Sequence, residues 1–275
     1  AHGELIRGDN MQTKIMIRRK MKQARYMMIS VVTFAVLLLV WSMASHFEMV
    51  DPLFLPEPVN VLKKLWETAC DGSLWTDMGV SIYRISMGFL LATVLGVPIG
   101  ILCSCFKSVS AVFSPLCQFI RYMPVPAFVP LLMVWMGIGE FSKIMIVFIG
   151  TFFQLVLMII DDCNSVSDDL LAAGYTLGAN NRTTVFRVLI PAMAPSMMQT
   201  LRMMIGWAWT YLVVAELVAA NTGLGYSILK AQRFLKTDAI FVGIVVIGLL
   251  GLITDIVLGF LIKKIFPWEE SVSNG

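Results

Sequence analysis

The run IMIVFIGTFFQLVLMII (residues 144–160) carries no charge, and DDCNSVSDDLLAAGYTLGANNRTTVFRVLIPAMAP (161–195) follows it directly. A bilayer-crossing helix needs about 20 apolar residues and accepts roughly 17, so the first segment is long enough to span. The second is too polar to enter lipid, yet it is not a featureless linker. Asp168 and Asp169 open a helix-compatible stretch that reaches Leu177. Gly178 breaks it, Asn180 and Asn181 are turn formers, and 183–190 resumes a helical pattern. Pro191 and Pro195 are expected to fix the entry into the next apolar run. A helix–turn–helix placed here is either a rigid knob for a soluble partner or a plain amphipathic connector. Spacing alone leaves both open.

Working outward, five further runs have bilayer length: 26–45, 81–105, 112–136, 196–220 and 239–262. Six spans suit the composition. The 275 residues are 58% hydrophobic and 14% charged, whereas a soluble domain carries roughly 25% charge and about 45–50% apolar residues. That excludes a soluble globular fold, and disorder with it. A net charge of +3 without a basic face gives nucleic acid nothing to bind. The expected class is an all-α integral membrane protein with six transmembrane helices. The tail 1–25 precedes one transmembrane domain, 26–265, which contains the loop 161–195, and 266–275 closes the chain.

Lys and Arg set the orientation. Arg7, Lys14, Arg18, Arg19, Lys20, Lys22, Arg25, Lys107, Arg182, Arg187, Lys263 and Lys264 fall on one side. The other side holds Lys63, Lys64, Lys143, Lys230, Arg233 and Lys236, so twelve against six places both termini in the cytoplasm. The first run is longer than a signal-peptide core and is read as a retained anchor. On the external side, Val61, Leu62, Leu65 and Trp66 share a helical face of 59–69, as in a helix lying on the membrane surface or docking a partner. The five cysteines and nineteen methionines read as packing residues.

Charges inside spans point to pathways or to internal partners. At about 100° per residue, Arg202, Gly206, Trp209, Val213, Glu216 and Ala220 share one face, with Trp207 and Tyr211 opposite. This stripe either borders a pathway or a dimer seam, or its two charges snorkel at the span ends. Pro115, Pro124, Pro126 and Pro130 crowd the third span, which is expected to be broken or kinked and to line a path. Arg121 beside the break would attract an anion or snorkel outward. Glu140 is placed at the external mouth, and Arg84 and Asp255 are expected to be structural partners.

LAAGYTLGANNRTTVFRVLIPAMAPSMMQTLR (171–202) resembles the EAA loop of ABC-importer permeases, with Ala172-Ala173-Gly174, then Gly178, then Pro191 after a hydrophobic run. Ala172 stands where the acidic residue is usual and Gly174 where the last Ala is usual. Asp168 and Asp169, one turn earlier, could substitute for the missing acid. FIRYMPVPAFVPLLMVWMGIGEFSK (119–143), VVAELVAANTGLGY (213–226), FLKTD (234–238), PLFLPEPVNVL (52–62) and SIYR (81–84) are similar, in order, to permeases for nitrate, sulfonate and taurine.

The resemblance implies the type I importer permease fold in the bacterial cytoplasmic (inner) membrane. It implies no nucleotide site on this chain, in keeping with the lack of a G-x-x-x-x-G-K-[ST] motif. ATP and Mg would sit on partner ATP-binding cassette subunits, an extracytoplasmic solute-binding protein would deliver an oxyanion, and two copies would form a homodimer. Asp168, Asp169, Ala172, Ala173, Gly174, Thr176, Leu177, Gly178 and Pro191 would form the ATPase-coupling loop. A path or gate is expected at Arg121, Pro124, Pro126, Trp135, Arg202, Trp209 and Glu216. The alternative class is an ion-coupled secondary transporter or channel, which calls for intramembrane relay residues and inverted repeats.

Overall fold

The computed structural model describes residues 23–47, 49–51 and 53–268. Of the expected tails, 1–22 and 269–275, with Arg7, Lys14, Arg18, Arg19, Lys20 and Lys22, lie outside the described residues, while 23–25 belong to the first helix. The chain divides into two compact units, residues 1–58 and 59–275. In the first, α1 (Gln23–His46) is apolar on every face; Phe34, Leu37 and Val40 are all exposed. A helix that is hydrophobic all round is at home in lipid. Its far end is tied to the following turn, where Trp41 Nε1 donates to the Pro56 carbonyl (3.0 Å) and Ser45 Oγ to that of Leu55 (3.1 Å).

Among its described residues, the regular structure of the second unit is all helical. In chain order it comprises α2 (Pro58–Cys70), α3 (Ser73–Cys105), α4 (Lys107–Arg121), α5 (Val125–Met136) and α6 (Glu140–Asn164). There follow α7 (Asp168–Thr176), α8 (Asn181–Thr184), a π turn (Val185–Leu189), α9 (Ile190–Ala219), α10 (Leu224–Arg233) and α11 (Thr237–Ile265). Among the described residues of both units, five stretches, α1 included, are long and apolar enough to cross a membrane, and the bent pair α4 and α5 makes a sixth if it is one span.

Helix α3 lies along α6, through a seam of small residues spaced four apart: Gly88, Ala92, Gly96 and Gly100. A Cβ at Gly88 would meet Val147 Cβ at 2.7 Å, and one at Gly100 would meet Ile159 Cβ at 2.7 Å. Apolar tails offer helices in lipid no hydrophobic drive to associate, so close backbone approach and dispersion must hold them. Leu155 and Ile159 of α6 continue into a core with Leu189, Met193 and Met204 of α9 and its approach.

Three expectations meet the structure. The break expected in the third span is present, and 112–136 is not one helix. It breaks at residues 122–124 and its halves meet at 104°. Proline at 124 disfavours helical backbone at Met123, the residue before it. Pro126 sits in the first turn of α5, where its missing N–H is harmless. Second, Pro191 and Pro195 do not separate the polar loop from the fifth span, because residues 181–218 run on as one helical rod. Pro191 has no N–H for the residue 187 carbonyl, and its ring crowds that carbonyl. The rod widens there by one residue, and the Ile190 N–H bonds to the Val185 carbonyl, five positions back. Third, the second span begins at Ser73, eight residues before the expected start. The surface helix expected at 59–69 forms as α2, but only Val61 of its apolar face is buried, while Leu62 and Trp66 stay exposed.

Candidate functional site

The knob is built from α7, a glycine turn and α8. Asp168 and Asp169 occupy the first turn of α7, where the helix dipole favours negative charge. The helix closes in a Schellman turn: the Gly178 N–H bonds to Tyr175 O (2.9 Å) and the Ala179 N–H to Gly174 O (3.1 Å). Gly178 has φ +84°, in the left-handed region that glycine adopts without strain. Asn180 caps the next helix, its Oδ1 accepting from the Thr183 N–H at 2.8 Å. Leu177 stands at the tip, 90% exposed.

Behind the tip the knob is anchored. Gly174 is buried with Val188 and Thr184 beside it, and a Cβ there would find Val188 Cγ2 at 3.4 Å, ordinary contact. Ala172, Ala173, Thr176 and Pro191 are exposed, and the Thr176 hydroxyl donates back to the Ala172 carbonyl at 2.8 Å. Because α8 runs through the π turn into α9, a force on the tip acts on a rod that reaches the other end of the helical unit.

At that other end lies a buried polar network that sequence reasoning found only in pieces. Arg84 of α3 is fully buried. Its Nε and Nη2 donate to the two oxygens of Glu140 (2.6 and 2.8 Å), and Nη1 donates to Glu216 (2.8 Å) and to the Thr222 carbonyl (2.7 Å). Lys143 reaches Glu140 at 2.8 Å. Glu216 also accepts from the Ser81 hydroxyl (2.7 Å) and the Gly225 N–H (2.8 Å). Asp77 takes the Gly223 N–H (2.8 Å) and the Ser227 hydroxyl. Gly223 and Gly225 give Glu216 and Arg84 their room: a Cβ at 223 would lie 2.7 Å from Arg84 Nη1, and one at 225 would lie 2.8 Å from Glu216 Cβ. The network ties the starts of α3, α6 and α10 to the end of α9.

The charged stripe of α9 makes polar contacts within the chain. Arg202 Nε and Nη2 grip the carboxylate of Asp255 on α11, both at 2.6 Å. Trp209 is buried and its indole N–H points at Thr254 Oγ1, 3.3 Å away. Glu216 is closed off in the network just described. Arg202 and Glu216 thus each have an answering charge on a neighbouring span, the Glu216 pair buried and the Arg202 side chain 33% exposed. On the opposite side of α9, Trp207 is exposed and the Tyr211 ring packs on Gly150.

Arg121 differs from the other two arginines within the spans. Among the described residues it has no carboxylate partner; its Nη2 donates to the Tyr122 hydroxyl (3.1 Å) and its guanidinium lies 4.9 Å from the Tyr122 ring centre. It borders a hollow of about 40 Å3 where the break between α4 and α5 meets α6 and α9. Pro124 caps α5 and Pro126 follows it, both exposed, as is Trp135 further along. Glu140, at the start of α6, is half exposed despite its two cationic partners. No group of three or more His, Cys, Asp or Glu side chains among the described residues is arranged to hold a metal.

Residues 96–267 match the family described as binding-protein-dependent transport system inner membrane component. The chain is 33% identical to the taurine transport system permease protein of Escherichia coli over 90% of this chain and 92% of that one. It is 27% identical to the nitrate import permease protein of a Synechocystis strain, over 87% and 89%. Among solved structures it resembles the inward-facing MetNI methionine ABC transporter, with a TM-score of 0.61 and 17% identity over 70% of this chain and 96% of that chain.

Proposed function

Since the chain belongs to the family of binding-protein-dependent transport system inner-membrane components, we propose that it forms the membrane path of an ATP-driven importer for a small oxyanion. Taurine, other sulfonates and nitrate are the candidate solutes, as the relatives' names suggest. The single observation that carries this reading is the knob: a rigid, glycine-turned tip with Leu177 exposed, continuous through the π turn with α9. The tip seats in a surface groove of a separate ATPase subunit, which binds ATP and Mg.

Two copies of the chain form a homodimer around one pathway in the bacterial inner membrane, with both termini and the knob on the cytoplasmic side. When ATP draws the two ATPases together, each tip moves with its groove and each rod transmits the displacement to the far end. The path then opens toward an external binding protein loaded with solute, and hydrolysis resets it. The polar network around Arg84 holds the ends of four helices as one piece, so that the rod moves them together rather than bending alone. This chain does no covalent chemistry.

Photo-crosslinking from a benzophenone side chain placed at Leu177 tests the docking. The expected product joins this chain to the ATPase subunit in the assembled complex. Crosslinks to lipid alone would remove the coupling role.

A further inference from the structure

We propose that Arg121, Gln154 and Tyr211 form an anion-selecting station part-way along the translocation path. The inference rests on the importer reading and names residues that recognise the solute inside it. Three polar side chains from three helices border one hollow: Arg121 at the end of α4, Gln154 of α6 and Tyr211 of α9. Among the described residues, neither the Gln154 carboxamide nor the Tyr211 hydroxyl makes a hydrogen bond, and Arg121 spends one donor on Tyr122. The other two arginines within these spans have carboxylate partners, Glu140 and Glu216 for Arg84 and Asp255 for Arg202. Here donors are left over.

Depth makes the surplus meaningful. Gly150 and Gln154 lie ten and fourteen positions into the 25-residue α6. At 1.5 Å per residue that is about 15 and 21 Å along a helix of about 36 Å. Arg121 ends the 15-residue α4, about 21 Å from its start. An unpaired arginine at such depth costs several kcal/mol unless it faces water or an anion. Transport sites lie near the bilayer midplane, where irregular backbone lines a cavity. The 104° break beside Arg121 is backbone of that kind.

Size and donor chemistry select the class of ligand. The hollow of about 40 Å3 has room for about three or four waters, by the roughly 10–15 Å3 that each one needs. That fits a planar or tetrahedral oxyanion head of four or five heavy atoms, with any tail left toward the opening. The guanidinium fork suits such a head. The carboxamide and the hydroxyl supply further N–H and O–H donors, and no carboxylate borders the hollow to repel it. Gly150 sets the position of the hydroxyl, since a Cβ there would come within 2.7 Å of Tyr211 Cγ.

The test uses the complete complex of this chain with its ATPase and solute-binding proteins in proteoliposomes, with labelled taurine and labelled nitrate as probes. Gln154→Leu and Tyr211→Phe are expected to lower anion uptake roughly tenfold, the loss of one hydrogen bond to a charged ligand. Gln154→Glu is expected to abolish uptake while Gln154→Lys retains it, and all variants assemble with the ATPase in normal yield. A merely structural role for Gln154 would not follow the sign of the charge. Wild-type uptake of an anion by Gln154→Glu would overturn the proposal. If the wild type imports only a solute that has no oxyanion group at the expense of ATP, the station falls and the importer reading stands. If it shows no ATP-dependent uptake at all, the importer reading falls. Melting of the purified chain then decides on the station: nitrate must stabilise the wild type over equal gluconate but not Gln154→Glu, and equal melting would overturn it.

Discussion

Replacing Glu216 by alanine removes the acceptor of three donors at once: Arg84 Nη1, the Ser81 hydroxyl and the Gly225 N–H. Removing one partner of a buried ion pair typically costs about 3–5 kcal/mol, because the other charge is left uncompensated. Arg84 keeps the bidentate contact to Glu140 and the Thr222 carbonyl, so the lower end applies. The expected loss is about 3 kcal/mol, or roughly 150-fold in the folding equilibrium at 1.4 kcal/mol per tenfold.

Glu216→Gln keeps one acceptor oxygen but loses the charge and turns its NH2 toward Arg84 Nη1 or the Gly225 N–H, so its expected cost is about 2 kcal/mol, that of one unsatisfied buried donor. Adding Arg84→Met to Glu216→Ala is expected to recover about half of the loss. The remaining charges, Glu140 and Lys143, satisfy each other at 2.8 Å. Unfolding of the purified chain by dodecyl sulfate in mixed micelles, followed by tryptophan fluorescence, measures all four proteins. Equal, small losses of about 0.6 kcal/mol for the alanine and glutamine variants would refute the reasoning. Such values are typical of replaceable hydrogen bonds between membrane helices, and they would mean that charge pairing contributes nothing.

The knob and the helix seam give three further expectations. Gly174→Ala should be tolerated and should raise stability by up to about 1 kcal/mol, since alanine is the better helix former and its Cβ would find open contact at 3.4 Å; melting and uptake check it. Gly178→Asp meets nothing within 4 Å of a Cβ, but φ +84° strains a non-glycine residue by about 1–2 kcal/mol, so insertion should survive with that loss of stability while ATPase activity is uncoupled from uptake; normal uptake would contradict the docking argument. Gly88→Leu should destabilise the α3–α6 seam by roughly 1–3 kcal/mol or more, since even a Cβ meets Val147 at 2.7 Å; expression and detergent stability report it.

The spans were legible because lipid demands about twenty apolar residues in a row, a signal that needs no partner to be read. The knob was legible for a local reason too: Gly178 and Asn180 encode a helix end and a cap within a few positions. The knob's continuity with α9 was hidden. Pro191 and Pro195 read as breaks, and only packing of the α9 rod against α6 shows that a widened turn absorbs the first of them. The network around Arg84 was hidden for the opposite reason. Its members lie 56 and 132 positions apart in the chain, and no periodicity joins them. Helical geometry put Arg202 and Glu216 on one stripe, yet could not tell that α11 and α3 hold the answering charges. The glycine seam of α3 stood in plain view, spaced four apart, and is the signal that reading by hydrophobicity passes over.

The most direct test of ATP-driven import is solute entry into proteoliposomes that hold this chain with its ATPase and external binding protein. With ATP supplied on the ATPase side and ionophores collapsing every ion gradient, labelled taurine or nitrate is expected to accumulate, and to stop accumulating when either ATP or the binding protein is left out. Accumulation without ATP that disappears when the gradients collapse would contradict the account and place the chain among ion-coupled transporters.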